Sequence, residues 1–493
     1  MKPDSVVIKT MPSRFKHQVP KYRVTRSDAC INCGMCAKSC QYGVHERIEG
    51  HNRIRPPIDY KCIGYECRKN DEFYCVYTCP RKALSLSLNP MYETLGDCRW
   101  TSDMIVATWI MAETGYPPER TDIDYQMGNS GGGFDKLRLK FPENPPKVER
   151  DEISTDLRLN RRNDGRADVV ISTPVYGGGM SFGSVSLSTM LSKARCASIW
   201  NTFTCTGEGG YPEMLHPYDD HVITQVATGL FGVREETIQR TKIVEFKYAQ
   251  GAKPGLGGHL LGEKNTESVA RMREAVQGVS LFSPFPFHSV YSIEDHKKHI
   301  DWVKQMNPKA LVSVKVSTPN DVDMVAVGSY YAGAHIIHID GGYGGTGAAP
   351  DIAKKNIAMP IEYAIPRVHS FLKDEGARDV VTLIASGGIR SAHDLAKAIC
   401  LGADGAVIGT AELIALECVR CGNCESGRGC ARGIASTDSE LADLFDDEWA
   451  TQRLVNLYHA WNVQLVDILQ KFGMQSVAEL VGRTDLLEHV DYR

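Results

Sequence analysis

The chain has 493 residues, 42% of them hydrophobic and 24% charged, with a formal net charge of -4. That length exceeds one ordinary core, so two or more domains are expected, one of them large enough for an α/β barrel. The balanced charge gives no electrostatic grounds for nucleic acid or an anionic membrane as a partner.

In chain order, "MKPDSVVIKTMPSRF" lacks the apolar centre of a signal peptide, and the longest apolar stretch, "MIVATWIM", is too short to span a bilayer. A cytoplasmic protein without membrane insertion is expected. Twelve of the sixteen cysteines fall in tight groups, which without an export signal favours metal or cluster ligation over disulfides. Residues 1–90 form the first expected domain, and its poor apolar periodicity suggests that metal organises it. There "CINCGMCAKSC" sets Cys30, Cys33, Cys36 and Cys40 at C-x2-C-x2-C-x3-C, a spacing with which three thiolates wrap one iron-sulfur cube while the fourth reaches another. Cys62, Cys67, Cys75 and Cys79 follow at C-x4-C-x7-C-x3-C, before Pro80. A pair of structural zinc sites would also use four cysteines each.

Residues 91–165 hold one expected helix, "SDMIVATWIMAETG", and then a Pro/Gly-rich connector wrapping a neighbouring domain, with a mobile tip expected at residues 131–133. Residues 166–435 alternate β-branched runs with helical patterns: "DVVIST", "NTFTCT", "TKIVEFKYAQ", "VSLFSP", "LVSVKVS", "AHIIHID", "DVVTLIAS" and "DGAVIGT". Eight such runs predict an α/β fold with a parallel (β/α)8 TIM barrel. Residues 436–493 read as a C-terminal tail of two or three amphipathic helices packed on the barrel exterior.

A phosphate in such a barrel sits after strands seven and eight, here "ASGGIRSAHDL" and "VIGTAEL", which makes Gly387, Gly388, Gly409 and Thr410 the phosphate candidates. Taken singly, either loop is equally well an ordinary tight turn. "DGGYGGTGAAP" satisfies G-x-G-x-x-G but runs into Pro350, and no second strand ends in an acid at the right distance, so no nicotinamide site is expected. In "LVSVKVS" the valines alternate with Ser313, Lys315 and Ser317, giving one polar strand face on which a buried lysine would need an anion; a solvated lysine near the strand end is the alternative.

Two resemblances follow from these motifs. The first cysteine region resembles a two-cluster bacterial ferredoxin with one degenerate half. That implies one [4Fe-4S] cluster on Cys30, Cys33, Cys36 and Cys79 and a second on Cys62, Cys67, Cys75 and Cys40. "YGGGMSFGSVS", "TGEGG", "YAQGAKPGLGGHLLGEK", "SPFPFHSVYSIEDHKK", "VSVKVS" and "DGGYGGTGAAP", in that order over most of residues 168–435, look like the flavin-binding synthase domain of glutamate synthase. With the ferredoxin segment in front, the layout is similar to the compact archaeal-type large subunit.

The resemblance implies FMN at the barrel mouth, contacted by Met180, Ser181, Gln250 and Lys315, with its phosphate on the glycines above. It implies reduction of 2-iminoglutarate, formed from 2-oxoglutarate and ammonia, with Lys315 and Glu208 as catalytic candidates and residues 344–348 in a substrate loop. A cation beside the flavin N1/C2 carbonyl would stabilise the reduced, anionic ring. Glu208 in "TGEGG" could instead only hold a turn, and His288 and His338 read as structural histidines. In "CVRCGNCESGRGC" the family's [3Fe-4S] spacing falls on Cys418, Cys424 and Cys430, with one extra residue before the last. Cys421 is then a bystander or the fourth corner of a [4Fe-4S] cluster.

The chain departs from the larger bacterial enzymes in two places. It begins Met1-Lys2-Pro3-Asp4, without the processed cysteine of a glutaminase domain, and has Leu256 where "KPGEGG" has its glutamate. Ammonia is therefore expected from solution or a separate glutaminase subunit, and electrons from an NAD(P)H-oxidising or ferredoxin partner. The alternatives are the flavin subunit of a methylamine-glutamate N-methyltransferase and an electron-transfer subunit without its own substrate.

Overall fold

The computed structural model describes residues 6–14, 19–69, 72–118, 132–345, 347, 349, 350, 352–354, 356–425 and 428–492. Residue 131 of the expected mobile tip lies outside these, as do Thr346 and Ala348 of the expected substrate loop. The chain divides into two compact units, Pro12–Val106 and Met1–Met11 with Ala107–Arg493.

In the smaller unit, strand Tyr22–Arg26 alternates inward and outward residues and pairs antiparallel with Leu84–Leu88. Two five-residue helices, Met35–Ser39 and Tyr74–Thr78, carry part of the cysteine groups. The apolar cluster among the cysteines is Val24, Val44, Cys75 and Leu84, with Cys36, Cys40, Cys62 and Cys79 packed against it. So small a cluster supplies little burial free energy, and the thiols make up much of its wall.

The larger unit is built on eight parallel strands: β1 Val175–Gly177, β2 Thr204–Cys205, β3 Val222–Ala227, β4 Ile243–Lys247, β5 Leu311–Ser317, β6 Ile336–Asp340, β7 Thr382–Ser386 and β8 Gly405–Ile408. From β2 to β8 each strand pairs with the next in sequence, and β8 pairs with β1. Gly177 N donates to Phe203 O at 2.8 Å, which closes the ring between β1 and β2. Helices α1 Leu187–Ile199, α2 Glu235–Arg240, α3 Ile293–Met306, α4 Val322–Ala332, α5 Ile361–Asp374, α6 Ala392–Leu401 and α7 Thr410–Ala415 fill the crossovers, as a TIM barrel requires. A 3-10 segment, Glu213–His221, replaces the helix between β2 and β3.

Two of the eight expected runs are not barrel strands. In "DVVIST" Val170–Ile171 pairs antiparallel with Leu157–Arg158, and Leu157, Leu159 and Ile171 plug the barrel's N-terminal end; β1 begins after Pro174, which cannot donate to the ladder. In "VSLFSP" Leu281–Phe282 pairs with His259–Leu260 in a long excursion between β4 and β5. Their places are taken by β1 and by β3, "VITQVA", which is buried at all six positions.

The C-terminal region contains one dominant helix, α8 Asp447–Phe472, after a short turn of helix at Ser439–Ala442. Asp446 caps α8 by accepting from Trp449 N, and nothing interrupts it until Gly473 adopts φ 70°. The chain then ends in a strand the sequence reading lacked, Leu487–His489, paired with Leu137–Leu139. No helix among the described residues is long and apolar enough to cross a membrane.

Arg453 on α8 is fully buried. It donates to Ala415 O at 2.7 Å and Met11 O at 2.8 Å, and lies 3.5 Å from Glu417. Arg453→Met should leave those carbonyls unpaired and the Glu417 carboxylate with Arg432 alone, 3.6 Å away, at a cost of about 3 kcal/mol. A thermal melt reads the loss, and a melting temperature equal to wild type would show that this ion pair does not hold α8 in place.

Candidate active site

Side chains alternate along a strand, so Glu245 on β4, Ser313 and Lys315 on β5, His338 and Asp340 on β6 and Ser386 on β7 share the inner face. They form one hydrogen-bonded chain. Glu245 accepts from Gln225 Nε2 at 2.7 Å and from Ser313 Oγ at 3.0 Å. His338 spans Glu245 Oε2 at 3.0 Å and Ser386 Oγ at 2.8 Å. Ser386 Oγ donates in turn to Asp340, whose other oxygen accepts from Gly251 N at 2.9 Å. Lys315 Nζ stands 3.6 Å from Asp340 Oδ2.

Lys315 is 9% exposed, so the solvated alternative does not hold. Burial works against its charge, but Asp340, Glu245 and Cys205 outweigh that and raise its pKa above the ordinary lysine value. His338, a structural histidine whose partners the sequence does not show, has one on each ring nitrogen. His288 is exposed on the excursion.

The loops at the C-terminal ends of the strands interlock through glycine. A Cβ at Gly251 would fall 1.9 Å from Gly341 O, and one at Gly387 would fall 2.5 Å from the same oxygen. Gly387 and Gly388 also hold φ 91° and 99°, which disfavours any other residue. A Cβ at Gly345 would meet Thr410 Oγ1 at 2.3 Å, and one at Gly409 would meet Met180 Cε at 3.2 Å. The loop after β7 is fixed from behind, where Arg390 donates to Asp394 at 2.8 Å and Asp135 at 3.0 Å. Met180, Gly387, Gly388, Gly409 and Thr410 thereby belong to one set of interlocked loops, and Gln250 directly precedes Gly251 of that set.

Glu208, after β2, faces three cations. Lys247 Nζ is 3.2 Å away, and Lys253 and Arg273 act on it through space. Burial pushes its carboxyl up, but these charges and the Lys247 hydrogen bond more than offset that, so Glu208 is ionised. It sits directly over Gly258, where a Cβ would lie 1.6 Å from Glu208 Oε1. Arg273 also donates to Ser181 Oγ at 3.0 Å and Phe182 O at 2.8 Å, tying Ser181 to the same group. Lys253 is 3% exposed and makes no hydrogen bond among the described residues. Sequence reading missed Lys247, Lys253 and Arg273, and also the polar partners of His338. The alternation of His338 and Asp340 in "HID", the same pattern that revealed Lys315, was the available signal for the latter.

All sixteen cysteines are free thiols. In the smaller unit, one cavity is lined by Cys30, Cys33, Cys36 and Cys79 and a second by Cys40, Cys62, Cys67 and Cys75. Among the described residues no three His, Cys, Asp or Glu side chains converge as ligands of a metal ion; these thiols surround a space. Burial, reinforced by the neighbouring Cys67, Cys62 and Cys40, pushes the Cys75 thiol up to about 12.

The late cysteines lie beside the mouth. A Cβ at Gly347 would fall 2.6 Å from Cys424 Cβ. Burial first, then the charges of Cys424 and Cys430, push the Cys418 thiol up to about 11 against the lowering effect of the Arg420 N–H. The turn "CVRCG" repeats "CINCG" in backbone as well as in sequence. Asn32 and Arg420 hold φ 56° and 60°, and Gly34 and Gly422 hold φ 81° and 79°. Asn32 N donates to Cys30 Sγ at 3.5 Å, and Arg420 N to Cys418 Sγ at 3.4 Å.

Residues 133–475 match the family model described as the conserved region in glutamate synthase. An archaeal-type glutamate synthase [NADPH] of Thermotoga maritima is 36% identical, covering 96% of this chain and 95% of its own. The archaeal glutamate synthase [NADPH] of Methanocaldococcus jannaschii is 35% identical over the same shares. The glutamate synthase [NADPH] large chain of Azospirillum brasilense is 35% identical over 72% of this chain but only 23% of its own. Among solved structures, a flavocytochrome b2 variant with sulfite bound aligns over 72% of this chain and 76% of its own, at 16% identity and a TM-score of 0.45. On the family model and on relatives that match nearly end to end, the chain belongs to the glutamate synthase family.

Proposed function

We propose that the chain makes L-glutamate by reductive amination of 2-oxoglutarate with ammonia through 2-iminoglutarate, at the barrel mouth above Lys315. The convergence of a buried, charged Lys315 with the glycine-lined loops after β6, β7 and β8 supports this reading. FMN would supply the hydride chemistry there and would link it to one-electron donors. The residues fit it: Met180, Ser181 and Gln250 stand at the rim, Gly387, Gly388, Gly409 and Thr410 offer a cradle free of side-chain bulk, and Lys315 supplies a cation. An ammonium held charged at this depth favours a ring that gains negative charge on reduction.

The substrate is a dicarboxylate, and the mouth offers Lys247, Lys253, Arg273 and Lys264 against two carboxylates, Glu208 and Glu425. That surplus of cations matches a dianion. Glu208, being ionised, is suited to hold an ammonium ion by a charge-assisted hydrogen bond where the imine forms. The relatives favour this synthesis over N-methyl transfer.

The twelve grouped cysteines are assigned to iron-sulfur clusters that pass single electrons: one [4Fe-4S] on Cys30, Cys33, Cys36 and Cys79, a second on Cys40, Cys62, Cys67 and Cys75, and a third on the late group. The shared turn gives Cys421 the place that Cys33 has in its own group, which supports four thiols and [4Fe-4S] in the third as well. Backbone N–H donors to Cys30, Cys62, Cys79 and Cys418 would stabilise thiolate and tune potential. Free thiols suit a reducing compartment, and we place the protein in the cytoplasm. Ammonia would come from solution or from a separate glutaminase, and electrons from an NAD(P)H-oxidising or ferredoxin partner.

Anaerobically purified protein given a chemical reductant, 2-oxoglutarate and ammonium should form glutamate. Lys315→Ala should cut the rate by about 10²-fold. Wild-type turnover in that variant would remove Lys315 from the site. Gly258→Ala should displace Glu208 and lower kcat/KM for ammonium by about 10²-fold; an unchanged value would assign Glu208 a purely structural role. Electron paramagnetic resonance of the oxidised protein should show no [3Fe-4S] signal in the wild type and a new one in Cys421→Ser. A strong signal from the wild type would leave Cys421 outside the cluster.

A further inference from the structure

We propose that His338 is a positioning residue held as an imidazolium between Glu245 and the Ser386–Asp340 pair, so that the Lys315 ammonium stays available to the barrel mouth. The inference rests on the reading of that mouth as a flavin site, and it concerns groups below the cofactor. It follows from counting protons along the hydrogen-bonded chain.

Ser386 has one hydroxyl proton, and that proton goes to Asp340. The contact of 2.8 Å between Ser386 Oγ and His338 Nε2 must then be donated by the imidazole. On the other side, Nδ1 meets Glu245 Oε2 at 3.0 Å. Gln225 and Ser313 each donate to one oxygen of Glu245, and the carboxyl is held ionised, so it can only accept and Nδ1 donates as well. A ring that donates from both nitrogens is an imidazolium.

The charges agree. Burial alone pushes the Glu245 carboxyl up, but the His338 charge and hydrogen bond, then Lys315 and Gln225, bring it down to about 2. Asp340 is likewise held below its usual range, burial notwithstanding, by Lys315 and then His338. Two buried carboxylates are thus balanced by two buried cations. The other strands add only neutral groups against this set: Tyr176 OH from β1, which has no hydrogen-bond partner, and Cys205 Sγ from β2, 4.0 Å from Glu245 Oε1. Burial pushes both of these upward, so they stay protonated. Without the imidazolium, Lys315 would face both carboxylates alone.

The test is the midpoint potential of the bound flavin, read by spectroelectrochemistry in His338→Gln, Glu245→Gln and the double variant. His338→Gln removes one positive charge and should lower the potential. Glu245→Gln removes one negative charge and should raise it. The double variant restores the balance and should return close to wild type. Shifts of the same sign in both single variants, or a double variant further from wild type than either, would overturn the proposal, since damage to packing alone has no reason to reverse sign. Should a variant fail to fold or to hold flavin, neutron diffraction from deuterated wild-type crystals decides: deuterium on both His338 nitrogens supports the proposal and a single one overturns it. A wild-type protein that holds no flavin would refute the reading of the mouth, whereas the neutron result bears on His338 alone.

Discussion

An ammonium on the inner face of a barrel strand is costly to bury without matching charge, and the interior of this barrel is arranged around that one constraint. Lys315 lies on β5, with Glu245 on β4 and Asp340 on β6 to either side. A single carboxylate would neutralise it and leave nothing for a ligand. Two carboxylates alone would overcompensate. Inserting His338 between them, with Ser386 as the link, keeps the interior near neutrality and gives both ring nitrogens and the Ser386 hydroxyl a partner. The core below, including Ile223, Ile243, Leu311, Ile336 and Ile384, excludes water from this set and so strengthens each contact.

The same economy of space governs the loops above. Gly341 O is approached by the backbones of Gly251 and Gly387, while Gly345 and Gly347 lie against Thr410 and Cys424. The loop after β6 therefore touches the turn after β4, the turn after β7, the start of α7 and the late cysteines. A side chain at any of these glycines would push two elements apart, so the mouth and the cysteine group form one packed body. Beneath it, Arg453 ties α8 to the end of α7, and Tyr458 OH donates to Glu412 on α7 at 3.0 Å. The long helix thus braces the turn that holds Gly409 and Thr410.

Periodicity made the barrel legible, because buried parallel strands are short β-branched runs between helical patterns. It failed where a run served another purpose. "DVVIST" has the composition of a core strand but plugs the barrel floor, and only Pro174 marks where the next strand starts. "VITQVA" has a pattern as strong as those runs, but it follows a polar 3-10 segment instead of a helical pattern. At the site, Lys315 was legible from alternation within one strand. Glu245, Lys253 and Arg273 were not, since their roles depend on which strands and loops become neighbours. The partners of His338 come from β4 and β7, 93 and 48 residues away.

The two cysteine turns show how far local chemistry can fix geometry without any shared fold around it. "CINCG" stands in a unit whose cysteines pack on a small apolar cluster, and "CVRCG" opens a group whose Cys424 and Cys430 pack on a larger one that includes Val185, Leu191 and Leu215. Their surroundings differ, yet residues two and four positions after the first cysteine are left-handed in both. The third position is Asn in one and Arg in the other, and Arg has no intrinsic preference for that region. Strain of this kind persists when it serves a fixed geometry, here an N–H aimed at the first sulfur and a second thiol three residues on. In an apolar setting a lone thiol resists ionisation, as Cys418 does. A backbone donor and a bound metal both favour thiolate, so the turn and the cluster it is suited to hold reinforce each other.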